Sequence, residues 1–263
     1  MADWRLLIDG PVEGATNMAR DRAVQVAVDG GEAPPTLRLY RWATPTVTLG
    51  RFQQLEGLDL QAARELGVDV VRRFTGGRGV LHDDELTYAV VARIEDGVPR
   101  GVAASYRHLC APLAAAYRDR GVDAELTERD RQSAPSAACY LATTRADLSL
   151  GAMKLSGSAQ VWLGSTVLQH GSFTVTRDVA REARIFRLDE AGEAKLANVT
   201  TTIAQASGGR VAFDRIADAV IAGFERSLGV SFSVGELTAY EYELAESLLP
   251  QVLVAGSLSA EQS

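Results

Sequence analysis

The segment Arg72-Arg73-Phe74-Thr75-Gly76-Gly77-Arg78-Gly79-Val80-Leu81-His82-Asp83-Asp84-Glu85-Leu86-Thr87-Tyr88 sets Gly76, Gly77 and Gly79 close together and then runs into a strand pattern. That continuation decides the fold. A phosphate-binding P-loop needs Gly-Lys-Ser/Thr opening a helix, and a dinucleotide fingerprint needs wider glycine spacing ahead of a helix. Here no lysine follows, and the chain continues into Leu86 to Ile94, rich in β-branched and aromatic residues. Upstream, Trp4 to Ile8, Leu37 to Trp42, Thr46 to Leu49 and Val68 to Arg72 read as further short strands bounded by Gly or Pro. Downstream come Ala146 to Leu150, then Lys154 to Leu163 and Thr166 to Thr174 as a hairpin around Gly164-Ser165.

Helical spacing predicts Ala15 to Val28, Leu58 to Leu66, Val102 to Arg120 with Cys110 facing the core, Val179 to Phe186 after an Asp178 cap, and Phe213 to Leu228 stopping at Gly229. Thr238-Ala239-Tyr240-Glu241 spells a capping box for a last helix. Strands and helices in this order imply an α/β (α+β) fold, a mixed β-sheet flanked by helices, and do not alternate regularly enough for a doubly wound sheet or a barrel. Thr127 to Ser136 is polar with one proline and reads as a mobile loop, and the chain from Ala255 reads as a frayed tail.

The 263 residues carry a net charge of −7 with no basic block interleaved with aromatics, so a nucleic-acid partner finds no support. The start Met1-Ala2-Asp3-Trp4-Arg5 lacks a signal-peptide pattern, and no window reaches the roughly 18 apolar residues of a membrane span. A cytoplasmic protein with no membrane association is expected, with Cys110 and Cys139 as free thiols. The cysteines and histidines show no metal-ligand spacing, so no metal is expected, and no Gly-x-Ser-x-Gly elbow supports a serine hydrolase.

The glycine segment can let backbone approach a bound group, with Arg72, Arg73 and Arg78 supplying positive charge, or it can be a plain turn. Cys139, in Ser136-Ala137-Ala138-Cys139-Tyr140, follows the polar loop outside any amphipathic period, where an accessible thiol is expected, although free cysteines also serve as buried hydrophobes. Only Lys154 and Lys195 are lysine among 27 basic residues, and Lys154 falls in the strand-like run Met153-Lys154-Leu155-Ser156-Gly157-Ser158-Ala159-Gln160. An ammonium held beside a thiol favours the thiolate, whereas a lysine on an edge strand is merely solvated. His82 ends the glycine segment and His170 lies in Leu168-Gln169-His170-Gly171-Ser172, so either can line a shared pocket, while His108 reads as a surface or packing residue.

Together RRFTGGRGVLHDDELTYAV, SAAC, KLSGSAQ and LQHGS, in this order and spacing, resemble the lipoyl and biotin protein ligase superfamily, and within it the octanoyltransferases of the LipM type. The resemblance spans roughly residues 37–202, with Asn198-Val199-Thr200 in keeping. It implies a fold shared with class II aminoacyl-tRNA synthetase catalytic domains and biotin protein ligases. One catalytic domain over residues 1–254, with its core at about 37–228 and a flexible tail over 255–263, is the implied organisation. It also implies octanoyl transfer from an acyl carrier protein to a lysine of a lipoyl domain, such as glycine cleavage H protein or a 2-oxoacid dehydrogenase E2, with no cofactor. On the family pattern Cys139 matches the acyl-thioester nucleophile and Lys154 the cation that favours its thiolate. Arg72, Arg73, Thr75, Gly76, Gly77, Arg78, Gly79, His82, Gly157, Ser158, Ala159, Gln160, His170 and Gly171 are the expected substrate-binding positions.

The expected chemistry is thioester exchange followed by amide formation, which needs no ATP, with backbone amides near the glycine segment steadying the oxyanion. The apolar slot for the acyl chain is expected at the glycine segment and at Gly157, Ala159 and Gly171. Arg51, Arg72, Arg73 and Arg78 are the expected docking patch for acidic partners. The sequence departs from the family pattern at Phe74, where proline is frequent, at Gly79, where alanine is usual, and at Ala89, where serine is common. Three rivals stand beside this reading: an ATP-dependent lipoate protein ligase, an amidotransferase between lipoyl domains, and a non-catalytic acyl or lipoyl-domain binder.

Overall fold

The strand β6 (Glu85–Arg93) lies in the middle of the sheet that organises the molecule, and its side chains alternate between two cores. Leu86, Tyr88, Val90 and Ala92 enter one apolar cluster, and Ala89 and Val91 enter another on the opposite face, as the two-residue strand period requires. The computed structural model describes residues 2–127, 137–141 and 147–261.

In chain order the elements are β1 (Ala2–Val12), α1 (Gly14–Asp29), β2 (Thr36–Trp42), β3 (Thr46–Leu49), α2 (Leu60–Glu65), β4 (Asp69–Arg72), β5 (Val80–His82), β6 and α3 (Val102–Arg118). They continue with β7 (Glu125–Leu126), a 3-10 turn at Cys139–Leu141, β8 (Leu148–Leu150), β9 (Met153–Ser156), β10 (Ser158–Leu163) and β11 (Thr166–Thr174). The last are α4 (Val179–Ile185), α5 (Glu190–Val199), α6 (Ile203–Ser207), α7 (Phe213–Leu228), β12 (Val230–Val234), α8 (Ala239–Val252) and α9 (Leu258–Glu261).

Six strands form a mixed sheet in the order β10-β11-β6-β2-β1-β12. β1 runs parallel to β2 and β12, and the remaining pairs are antiparallel. Helices α3 and α7 supply Leu109, Leu113, Ile216, Val220 and Phe224 to one face, and α1 supplies Ala15, Met18, Val24 and Val28 to the other. The two helices of the first face approach closely because residue 223 is glycine: a Cβ there would sit 2.4 Å from the Pro112 carbonyl oxygen. Two three-stranded sheets, β4-β3-β5 and β7-β8-β9, abut this frame.

Local signals are read out as expected at several ends. Asp178 accepts from the Arg181 N–H, Gly229 closes α7 at φ 66°, and Thr238 and Glu241 form the reciprocal cap of α8. Two differences matter. The run from Lys154 to Leu163 is two strands, because the chain turns at Gly157 and passes from the β7-β8-β9 sheet to the main one. The tail expected to fray from Ala255 carries α9, with Ser257 buried and the Ser259 N–H donating to Asp69; polar anchoring of the backbone offsets its ordering entropy. The loop expected over 127–136 lies outside the described residues from 128 onward, as does the expected strand start at Ala146. Among the described residues no helix is long and apolar enough to cross a membrane.

Candidate active site

A cavity of about 1000 Å³ opens where the main sheet, the β4-β3-β5 sheet, the start of α3 and the Cys139 turn meet. Tyr40, Trp42, Met18, Val80, Val102, Tyr106 and Leu126 give it an apolar lining, and Gly76, Gly77, Gly157, Ala159 and Gly171 widen it. The glycine at 171 is required: a Cβ would lie 2.5 Å from the Gly157 carbonyl oxygen.

Cys139 faces this space and is half-buried. Its backbone is pinned to the glycine segment by two bonds, Cys139 N–H to Gly79 O at 2.8 Å and Gly79 N–H to Ala137 O at 2.9 Å. Gly79 therefore positions the cysteine instead of lining the cavity, and neither of these two amides serves an oxyanion. The backbone amides near the glycine segment that are expected to steady the oxyanion are therefore not these two.

Lys154, on β9, is buried and reaches the same point from the other side. Its Nζ lies 3.5 Å from Cys139 Sγ, 3.3 Å from the Cys139 carbonyl oxygen, 3.0 Å from Asp147 Oδ2 and 5.1 Å from the centre of the Tyr140 ring. An isolated buried ammonium costs several kcal/mol. Burial opposes the charge on Lys154, but the neighbouring Cys139 and Asp147 outweigh it and hold the ammonium above its usual range. Cys110, by contrast, is sealed in the α3 core, where burial pushes its thiol up to about 12. Both cysteines are free thiols.

Arg73 is the hub of the glycine segment. Its buried guanidinium donates to the carbonyls of Thr48, Gly76 and Arg78 and to the hydroxyls of Thr48 and Thr75. Burial lowers its pKa to about 10, and the charge of Cys139 opposes that shift. Each threonine hydroxyl then meets a histidine: Thr48 lies 2.9 Å from His82 Nε2, whose Nδ1 lies 2.7 Å from Glu85, and Thr75 lies 2.8 Å from His170 Nε2, whose Nδ1 lies 2.9 Å from Asp21. Arg73 donates to each hydroxyl, and the donor and acceptor roles between hydroxyl, ring and carboxylate follow the histidine tautomer. His82 is also stacked on Trp42 with ring centroids 4.2 Å apart.

The expected site residues thus separate by place. Cys139, Arg73, Gly76, Gly77, Arg78, His82, Gly157, Ser158, Ala159, Gln160, His170 and Gly171 line one cavity. Thr75 and Lys154 stand directly behind it. Arg72 does not line it: its guanidinium holds the carbonyls of Gly50, Arg51 and Gln53. The expected docking patch is not one surface either, because Arg73 is buried and Arg72 is engaged with the Gly50–Gln53 loop. The residues that sequence reasoning missed are Asp147, Asp21, Glu85 and Thr48, all buried and all partners of residues that it did single out.

Residues 13–225 match the Lipoyl protein ligase A/B catalytic domain. The chain belongs to this family. Similarity extends to an octanoyltransferase LipM of Symbiobacterium thermophilum, 40% identical over 94% of each chain, and to one of Moorella thermoacetica, 39% identical over 90% of this chain and 91% of that one. Among solved structures, a bi-partite lipoate protein ligase of Thermoplasma acidophilum superposes with a TM-score of 0.78 at 25% identity, covering 95% of this chain and 93% of that one. Within the lipoyl protein ligase A/B frame, the cavity, Cys139 and the Lys154–Asp147 pair occupy one wall.

Proposed function

We propose that the protein is an octanoyltransferase of lipoate biosynthesis, which carries the acyl group as a thioester on Cys139 between an octanoyl-acyl carrier protein and a lysine of a lipoyl domain. The observation that carries the reading is the 3.5 Å approach of the Lys154 ammonium to the Cys139 sulfur at the wall of an apolar cavity. A thiolate is the nucleophile of such a transfer, and an ammonium in contact is an electrostatic partner for its charge.

In the first step Cys139 Sγ attacks the carrier thioester, the new S–C bond forms, and the carrier sulfur leaves with the electron pair. Lys154 gives that sulfur its proton. In the second step the acceptor ammonium returns a proton to Lys154, and its nitrogen attacks the Cys139 thioester. The S–C bond breaks back to the Cys139 thiolate, and a second proton passes to solvent as the amide forms. The sum is one amide, one carrier thiol and one released proton, with no ATP. The charge of Lys154 lies 3.5 Å from the sulfur on which the tetrahedral intermediates form. The apolar lining from Met18 to Tyr106 suits a hydrocarbon chain, and glycine cleavage H protein or a 2-oxoacid dehydrogenase E2 supplies the acceptor lysine.

Intact-mass measurement after mixing with octanoyl-acyl carrier protein tests the reading. The chain is expected to gain one octanoyl group, and Cys139→Ala is expected to gain none. Adenylate formed from ATP and free octanoate, with no acylated cysteine, would favour a ligase instead.

A further inference from the structure

Asp147 touches neither the sulfur nor the acyl group in the first acyl exchange as proposed, yet it is buried, ends 3.0 Å from Lys154 Nζ and lines the cavity that holds Cys139. Among the described residues that line this cavity it is the single carboxylate, while Arg73, Arg78 and Arg107 face the same space. An acceptor lysine arrives there as an ammonium, charged up to about pH 10.4 in water. Leaving water without an anionic partner costs it several kcal/mol.

Resting on the octanoyl-transfer reading, we infer that Asp147 is the acceptor-binding residue: its carboxylate receives the ammonium of the incoming lysine beside Lys154 and so aims that nitrogen at the Cys139 thioester. The proton accounting fits this order of events. Once Lys154 has protonated the leaving carrier sulfur it is a neutral amine, and its ion pair with Asp147 is gone. The acceptor ammonium restores that pairing, passes its proton to Lys154 and becomes the nucleophile, while the Lys154 ammonium regains its contact with Asp147. The acceptor therefore fits the acyl-enzyme better than the free enzyme.

The test compares two acceptors on the isolated acyl-enzyme: a lipoyl-domain protein, whose lysine is charged, and hydroxylamine, which is uncharged at neutral pH. In Asp147→Asn the ratio of lysine to hydroxylamine deacylation is expected to fall about thirty-fold, as for loss of one partner of a buried charge pair, and in Asp147→Glu to stay within about threefold. An unchanged ratio overturns the inference. Because Lys154 also takes the proton of a charged acceptor, the comparison is repeated in a chemically octanoylated Lys154→Met chain, where Asp147→Asn should still lower the ratio, and a ratio that no longer responds overturns the inference as well. A readout on the wild-type chain keeps the question open to refutation should Asp147→Asn not fold: the enzyme should favour lysine over hydroxylamine far beyond the preference of a free octanoyl thioester, and no such gain overturns the inference. A wild-type chain that never acquires octanoyl on Cys139 overturns the octanoyl-transfer reading itself, whereas an acyl-enzyme with an unchanged Asp147→Asn ratio sinks the Asp147 inference alone.

Discussion

Gly157 packs directly on Lys154: a Cβ at position 157 would stand 3.3 Å from both Cε and Nζ of the lysine and 3.3 Å from Asp147 Oδ1. The turn between β9 and β10 thus doubles as the back wall of the cation, and the missing side chain is what lets the ammonium lie between the sulfur and the carboxylate. Contacts of that length are tight but yielding, so a single methyl asks for shifts of a few tenths of an ångström, whereas a branched side chain displaces the lysine. Gly157→Val should slow alkylation of Cys139 by iodoacetamide near neutral pH about tenfold, while Gly157→Ala should have a much smaller effect. Rates read by intact mass decide it, and an unchanged rate in Gly157→Val would separate the lysine's position from the reactivity of the thiol.

The two cysteines should behave as different chemical species. Cys139 opens on the cavity, while Cys110 is 1% exposed, accepts from the Gln169 amide at 3.6 Å and has its thiol pushed up to about 12 by burial. A chromogenic disulfide reagent is expected to titrate one thiol rapidly in the folded protein and the second only after denaturation. Cys139→Ala should abolish the rapid phase, and Cys110→Ala should leave it intact. Two equally fast thiols would contradict the burial of α3.

Acid should loosen the hub around Arg73. Burial holds His170 below its ordinary value of 6.5, so as pH falls below about 6.5 the unfolded chain takes up a proton that the folded chain does not, and stability drops. Burial pushes Asp21 and Glu85 up, but His170 and Arg38 for the first, and His82 for the second, outweigh it and hold both carboxyls below their ordinary range. Their contribution is present above the unfolded carboxyl values and is lost as pH falls through the folded ones. Melting temperature is therefore expected to fall steadily between about pH 7.5 and about pH 4.5, and His170→Gln should flatten the upper part of that fall. A melting temperature that rises on acidification would mean that the folded chain binds protons more readily than the unfolded one.

What was legible in the sequence was what short-range chemistry encodes. The Thr238 capping box, the Gly229 stop and the β10–β11 hairpin need only neighbours in the chain, and Lys154 stood out because lysine is scarce. β12 escaped because Val230–Val234 is half solvent-facing, shows no clean alternation, and is held by parallel pairing with β1 at the other end of the chain. α5 escaped because Leu196 is the single residue that it buries. Asp147 and the Arg73 hub were hidden for a related reason: a carboxylate seven positions before Lys154, or two threonines on either side of Arg73, become partners only after β8 turns back on β9 and β3 pairs with β4. Glycines announce that backbone approaches something closely, but Gly79 turned out to be approached by its own chain.

That last position allows a sharp test. A Cβ at Gly79 would lie 2.6 Å from Cε1 and 3.0 Å from Cζ of Phe186, a buried residue just after α4. The space of the absent methyl is filled by the edge of this ring, so the two positions are complementary in volume. Gly79→Ala alone should overpack the contact and destabilise the protein by about 1–3 kcal/mol in urea melts. It should also slow Cys139 acylation, because the Gly79 to Cys139 backbone bond must shift with it. Adding Phe186→Leu should recover most of that loss, so that the double variant is more stable than the sum of the single changes predicts, with a coupling of about 1 kcal/mol or more. Additivity within about 0.3 kcal/mol would show that the ring and the glycine are not packed against one another.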